Sequence, residues 1–121
     1  MGQKKILVVD DAEFNRDLIF QLLGDDYEIL AAIDGAEGIK MAEQEKPDLI
    51  LMDLGMPVMD GWEATRIIKA NSELKHIPVI AVTSHAMIGD EKQAREAGCD
   101  DYVPKPIDEE ELIRKVKHFL Q

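Results

Sequence analysis

One rhythm constrains this chain more than any other feature: a short apolar run followed by an amphipathic segment, repeated five times. The runs are Lys5 to Val9, Tyr27 to Ala32, Asp48 to Met52, Pro78 to Val82 and the brief Asp101 to Val103. In the first, third and fourth the apolar residues are consecutive, as expected of central parallel strands covered on both faces. The second and fifth read as edge strands. Between the runs, Phe14, Leu18 and Leu22 recur at helical spacing, as do Leu112, Val116 and Phe119, which predicts helices that each bury one stripe. Asp34-Gly35 and Gly98 mark boundaries, Pro47 precedes the third strand, and Asp108 with Glu111 three residues later is an N-cap signal. The order is therefore strand then helix, five times. Right-handed crossovers turn that order into an α/β fold with a doubly wound parallel sheet of five strands, whose ligands bind beyond the carboxyl ends of the strands.

Composition narrows the function. At 121 residues the chain is sized for one domain, and 45% apolar with 32% charged residues is the balance of a packed protein. Fourteen basic against 25 acidic side chains give a net charge of -11, which repels nucleic-acid backbones and anionic membranes. Cys99 is the single cysteine, so no intrachain disulfide forms, and a cytoplasmic setting is expected, with Cys99 a small buried residue. The apolar runs stop at aspartates, far short of the roughly 18 residues of a membrane span, and neither a signal peptide nor an anchor is expected.

The polar residues at the strand ends carry the chemistry. Asp10 and Asp11 follow the first strand, Asp53 the third, Thr83 and Ser84 end the fourth, and Lys105 lies past the fifth. Taken singly, each has a bland explanation: a helix cap, a loop carboxylate, a strand end, a solvated lysine. Together they bring four segments to one edge of the sheet. Clustered carboxylates repel and call for a cation, and all-oxygen ligation suits a hard ion such as magnesium, with Lys105 a second positive charge. Phosphate-loop, dinucleotide, nucleophile-elbow and cysteine-histidine metal motifs are all missing from the sequence. His76, His85 and His118 are scattered and read as surface residues, Met52, Met56, Met59 and Met87 as core or loop filling, and Trp62 as packing at a helix start.

Four segments, Val8-Val-Asp-Asp11, Met52-Asp-Leu-Gly-Met-Pro-Val-Met-Asp-Gly61, Val82-Thr-Ser84 and Asp101-Tyr-Val-Pro-Lys-Pro106, together resemble a two-component response-regulator receiver domain over essentially the whole chain. The resemblance implies a flavodoxin-like sheet of order 2-1-3-4-5, an order known for chemotaxis regulators of this kind. It implies that Asp53 is the phosphoacceptor and that Mg²⁺ is held by Asp11 directly, Asp10 mainly through a water, Asp53 and the Gly55 carbonyl. It also implies that Thr83 and Lys105 bind the phosphoryl group, that Tyr102 is the aromatic switch, that Pro57 and Gly61 shape the loop, and that Lys105-Pro106 is cis. The implied partners are a histidine kinase or histidine phosphotransfer protein as donor and a downstream effector protein.

The stretch Asp11-Ala-Glu-Phe-Asn15-Arg16, with His85 to Asp90, resembles receivers of hybrid kinases and single-domain phosphorelay proteins. The expectation is a stand-alone receiver over residues 3–121 without a separate output domain, a phosphoacceptor switch rather than a turnover enzyme. Two alternatives stand beside it: a receiver excised from a hybrid kinase, and an aspartate-nucleophile phosphatase. The second requires an acid-base aspartate two residues past the nucleophile, where this chain has Gly55.

Overall fold

Five parallel strands, β1 (Lys5–Val9), β2 (Glu28–Ala32), β3 (Leu49–Asp53), β4 (Val79–Thr83) and β5 (Asp101–Pro104), pair in the order β2-β1-β3-β4-β5. These strands come from a computed structural model that describes residues 3–54, 61–83, 92 and 95–121. Burial divides them as their composition predicts. β3 and β4 are buried throughout and β1 from Ile6 onward, whereas β2 and β5 form the edges and are only partly covered. Four helices complete the described fold: α1 (Glu13–Leu23), α2 (Gly35–Glu45), α3 (Gly61–Ala70) and α4 (Glu109–Leu120). Residues 92 and 95–97, in the crossover between β4 and β5, are helical as well. Among the described residues no helix is long and apolar enough to cross a membrane.

Alternation along each strand sorts the core into two layers. Leu7, Val9, Ile50, Met52, Val79 and Ala81 face α2 and α3, while Ile6, Val8, Leu49, Leu51, Ile80 and Val82 face α1 and α4. Helix caps agree with the sequence. The Asp34 side chain accepts from Glu37 N at 2.8 Å and that of Asp108 from Glu111 N at 3.1 Å, bonds that satisfy amide groups otherwise left open at a helix start. Leu112 and Val116 are buried and Phe119 packs at the margin of the same layer, as its spacing predicts.

The stripe on α1 is different. Ile19 and Leu23 are its buried residues, Leu18 and Leu22 are half-buried, and Phe14 is 78% exposed. Two i,i+4 series, one residue apart, compete on this helix, and its first turn lies just past the end of β1, where no strand lies beneath it.

The amino edge of the sheet is closed by paired charges. Lys69 Nζ donates to Ile77 O at 2.7 Å, to Lys75 O at 3.2 Å and to Asp100 Oδ2 at 2.8 Å, and the same Asp100 oxygen accepts from Val79 N at 2.8 Å. Gly98 makes room for this arrangement. Its φ is +108°, a region that favours glycine, and a Cβ there would lie 2.8 Å from Lys69 Cγ. Nearby, Lys5 N donates to Asp48 Oδ2 at 2.8 Å, and Lys5 Nζ lies 3.3 Å from Glu45 Oε1.

Candidate functional site

Register brings the candidate residues together at the opposite, carboxyl edge. Val9 is aligned with Met52, so Asp10, the residue after β1, lies beside Asp53, the last residue of β3. Asp53 is in turn aligned with Val82, next to Thr83. Asp10, Asp53 and Thr83 are buried, at 2%, 6% and 3% exposure, whereas Asp11 is open to solvent. One carboxylate oxygen from each of Asp10, Asp11 and Asp53 lies within 4.8 Å of the others. Lys105 directly follows β5 and precedes a cis bond to Pro106, and its Nζ lies 3.4 Å from Asp53 Oδ2 and 3.6 Å from Asp10 Oδ2.

Burial raises the Asp10 carboxyl pKa above its ordinary value, and the Asp53 charge adds to the rise. The Ala12 N–H bond, Lys105 and Asn15 oppose it only in part. The Ala12 bond measures 2.8 Å to Asp10 Oδ1, and Arg16 Nη1 donates to the Asp10 carbonyl at 2.8 Å, so the first turn of α1 fixes both ends of this residue. These Asn15 and Arg16 contacts were not assigned from sequence. Their signal is position alone, one helical turn beyond an acidic pair.

The donor set fits a hard divalent cation. Three carboxylates, two buried and one open to solvent, cluster beside a single ammonium, and hard oxygen donors suit magnesium. Gly61, at the start of α3, explains how this site is kept close: a Cβ on it would stand 2.2 Å from the Asp53 carbonyl oxygen. Only glycine allows α3 to begin there.

Thr83 O accepts from Lys105 N at 2.7 Å, tying the fourth and fifth segments together at the site. Tyr102 is half-buried and packs against the layer shared with α2 and α3. Gly55, Met56, Pro57, Met59, Ser84, His85 and Met87 lie outside the described residues. Met52 fills the core and Trp62 packs at the start of α3, while His76 and His118 are exposed. Cys99 is buried beside Thr65, and burial pushes its thiol up to about 11.

A family model described as "Response regulator receiver domain" matches residues 6–117. The polar-differentiation response regulator DivK of Brucella anthropi is 42% identical over 118 residues, covering 97% of this chain and 96% of that protein. Among solved structures, chemotaxis protein CheY4 of Vibrio cholerae superposes with a TM-score of 0.91 at 28% identity, covering 98% of this chain and 99% of that one. The receiver domain of the sensor histidine kinase PA1611 from Pseudomonas aeruginosa, solved with magnesium coordinated in its active-site cleft, gives 0.90 at 35% identity over 98% of each chain.

Proposed function

The chain belongs to the response-regulator receiver-domain family of two-component signalling, and from that premise we propose that Asp53 is its phosphoacceptor, loaded from a phosphohistidine on a kinase or phosphotransfer protein. The observation that supports this most is the convergence of three carboxylates within 4.8 Å on a lysine 3.4 Å from Asp53. An Asp53 oxygen attacks phosphorus in line, the P–O bond forms as the P–N bond to imidazole breaks, and the imidazole leaves with its electron pair. Lys105 offsets the charge that gathers on the phosphoryl oxygens, and the Thr83 hydroxyl offers them a hydrogen bond.

Asp10, Asp11, Asp53 and the Gly55 carbonyl would hold Mg²⁺. When bound, the ion neutralises carboxylate charge and lowers the repulsion met by an incoming phosphoryl group. Asp10, buried and pinned by Ala12 and Arg16, orients the cluster.

The protein is a phosphorylation-dependent switch, and its output is proposed to be binding of a downstream protein, with residues 3–121 acting as one receiver unit in the cytoplasm. The likeness to the PA1611 receiver supports a second reading as the receiver of a hybrid kinase, whose output is onward phosphotransfer. Intact mass after incubation with phosphohistidine donors should show one phosphoryl adduct that needs a divalent ion. Asp53→Asn should abolish it, and an undiminished adduct in that variant overturns the assignment. A panel of kinases and phosphotransfer proteins separates the two readings by the direction of the fastest transfer.

A further inference from the structure

β5 is an edge strand, and its peptide groups raise a local problem. Lys105 N donates to Thr83 O on β4, and in a parallel ladder alternate residues face the neighbour, so the Tyr102 peptide faces outward. Outward peptide groups on an open edge invite another strand. Here they are met from within the chain. Tyr102 N donates to Asp101 Oδ1 at 2.8 Å, and Tyr102 O accepts from Lys115 Nζ. The same ammonium lies 3.2 Å from Asp101 Oδ1 and 3.3 Å from Glu111 Oε1, and the Lys115 side chain is only 18% exposed.

This contact crosses a boundary. The Tyr102 ring packs in the layer of α2 and α3, whereas Lys115 belongs to α4, whose buried residues Leu112, Val116 and Leu120 lie in the opposite layer. Lys115 therefore reaches around the open edge of the sheet to hold a backbone atom of the residue whose ring lies on the far side. Solvated surface lysines keep one loose contact or none. This one holds a carbonyl and two carboxylates.

We propose that Lys115 is a positioning residue that makes the Tyr102 segment and α4 move together, so that a change begun at Asp53 reaches the α4 surface through this ammonium. The proposal rests on the reading of Asp53 as phosphoacceptor. If the Tyr102 peptide shifts, Lys115 must either release it or follow, and following moves the turn of α4 that carries Arg114 and His118. Those two residues, with Asp101 and Lys115, line a shallow hollow of about 280 Å³, so the movement alters the face a partner protein would meet. Coupling of this kind requires two arrangements that the signal biases differently.

The test compares amide NMR shifts caused by beryllofluoride with magnesium in wild type, Lys115→Met and Lys115→Arg. In wild type, shifts should appear at the site, at Tyr102 and along residues 109–120. Lys115→Met should keep those at the site and at Tyr102, lose at least half of the shift along α4, and accept phosphate on Asp53 within twofold of the wild-type rate. Lys115→Arg, which retains a charged donor, should restore the α4 response. Undiminished α4 shifts in Lys115→Met overturn the proposal. Should Lys115→Met fail to fold, the Lys115 ¹⁵Nζ signal of wild type decides: it must move on beryllofluoride addition, and a stationary signal overturns the coupling. A wild type that takes neither beryllofluoride nor phosphate overturns the Asp53 reading itself.

Discussion

The two ends of the sheet use the same side chains to opposite effect. At the amino edge, Lys69 meets two carbonyls and Asp100, and Asp100 also accepts from Val79 N, so the charges of this pair are answered. At the carboxyl edge, three carboxylates crowd together, two of them, Asp10 and Asp53, share Lys105, and burial raises the Asp10 pKa above the ordinary carboxylate value. One end is electrostatically settled and the other is not. The unsettled end has something to gain from a divalent ion, so it is where ligand chemistry belongs, while the settled end keeps β4 and β5 in place beneath it.

The largest effect should come from Gly61→Ala, which forces a methyl into the Asp53 carbonyl. We expect a loss of about 3 kcal/mol of stability and at least tenfold slower phosphorylation of Asp53, measured by urea unfolding and intact mass. Wild-type phosphorylation in this variant would show that the close approach of α3 does not set the site. Lys69→Met, at the settled end, should lose about 2 kcal/mol because it leaves the Asp100 charge and two carbonyls without their donor. Its phosphorylation rate should not change, and a slowed rate would mean that the two ends are not separable.

Asp10→Asn should have the opposite sign. The folded chain binds the Asp10 proton more tightly than the unfolded chain, so without metal, stability falls as pH rises from the ordinary carboxylate value through the raised one, and the deficit persists at neutral pH. Removing this carboxylate should raise the metal-free melting temperature at neutral pH by a few degrees, flatten that pH dependence and weaken stabilisation by added magnesium. Thermal melts across the acid range, with and without magnesium, check all three. Glu45→Gln, which removes a half-exposed partner of Lys5, should cost less than about 0.5 kcal/mol and fade in high salt. A larger, salt-independent cost would show that the amino edge relies on its surface pair as well.

The strands were legible because three of them are apolar at consecutive positions, and the site because Asp10, Asp53, Thr83 and Lys105 end separate strands. Phe14 misled because spacing alone cannot tell which of two overlapping stripes on α1 meets the sheet. Lys69 and Lys115 leave no sequence signal and Arg16 only its position after the acidic pair: each bonds a main-chain carbonyl, and any residue type supplies one. Such contacts depend on where the chain folds back, which the topology decides.

The sheet also divides what inheritance can alter. Asp10 and Asp53 continue the alternation of the layer shared with α1 and α4, whereas Thr83 and the Tyr102 ring belong with the layer of α2 and α3. A lineage can therefore drift in Ile68, Leu74 or Ile77 and retune the packing of the Tyr102 ring, while Asp10 and Asp53 stay untouched across the wall. The carboxylates that receive and the ring that reports lie on opposite faces of one small sheet, and Thr83 sits beside the first while belonging to the layer of the second.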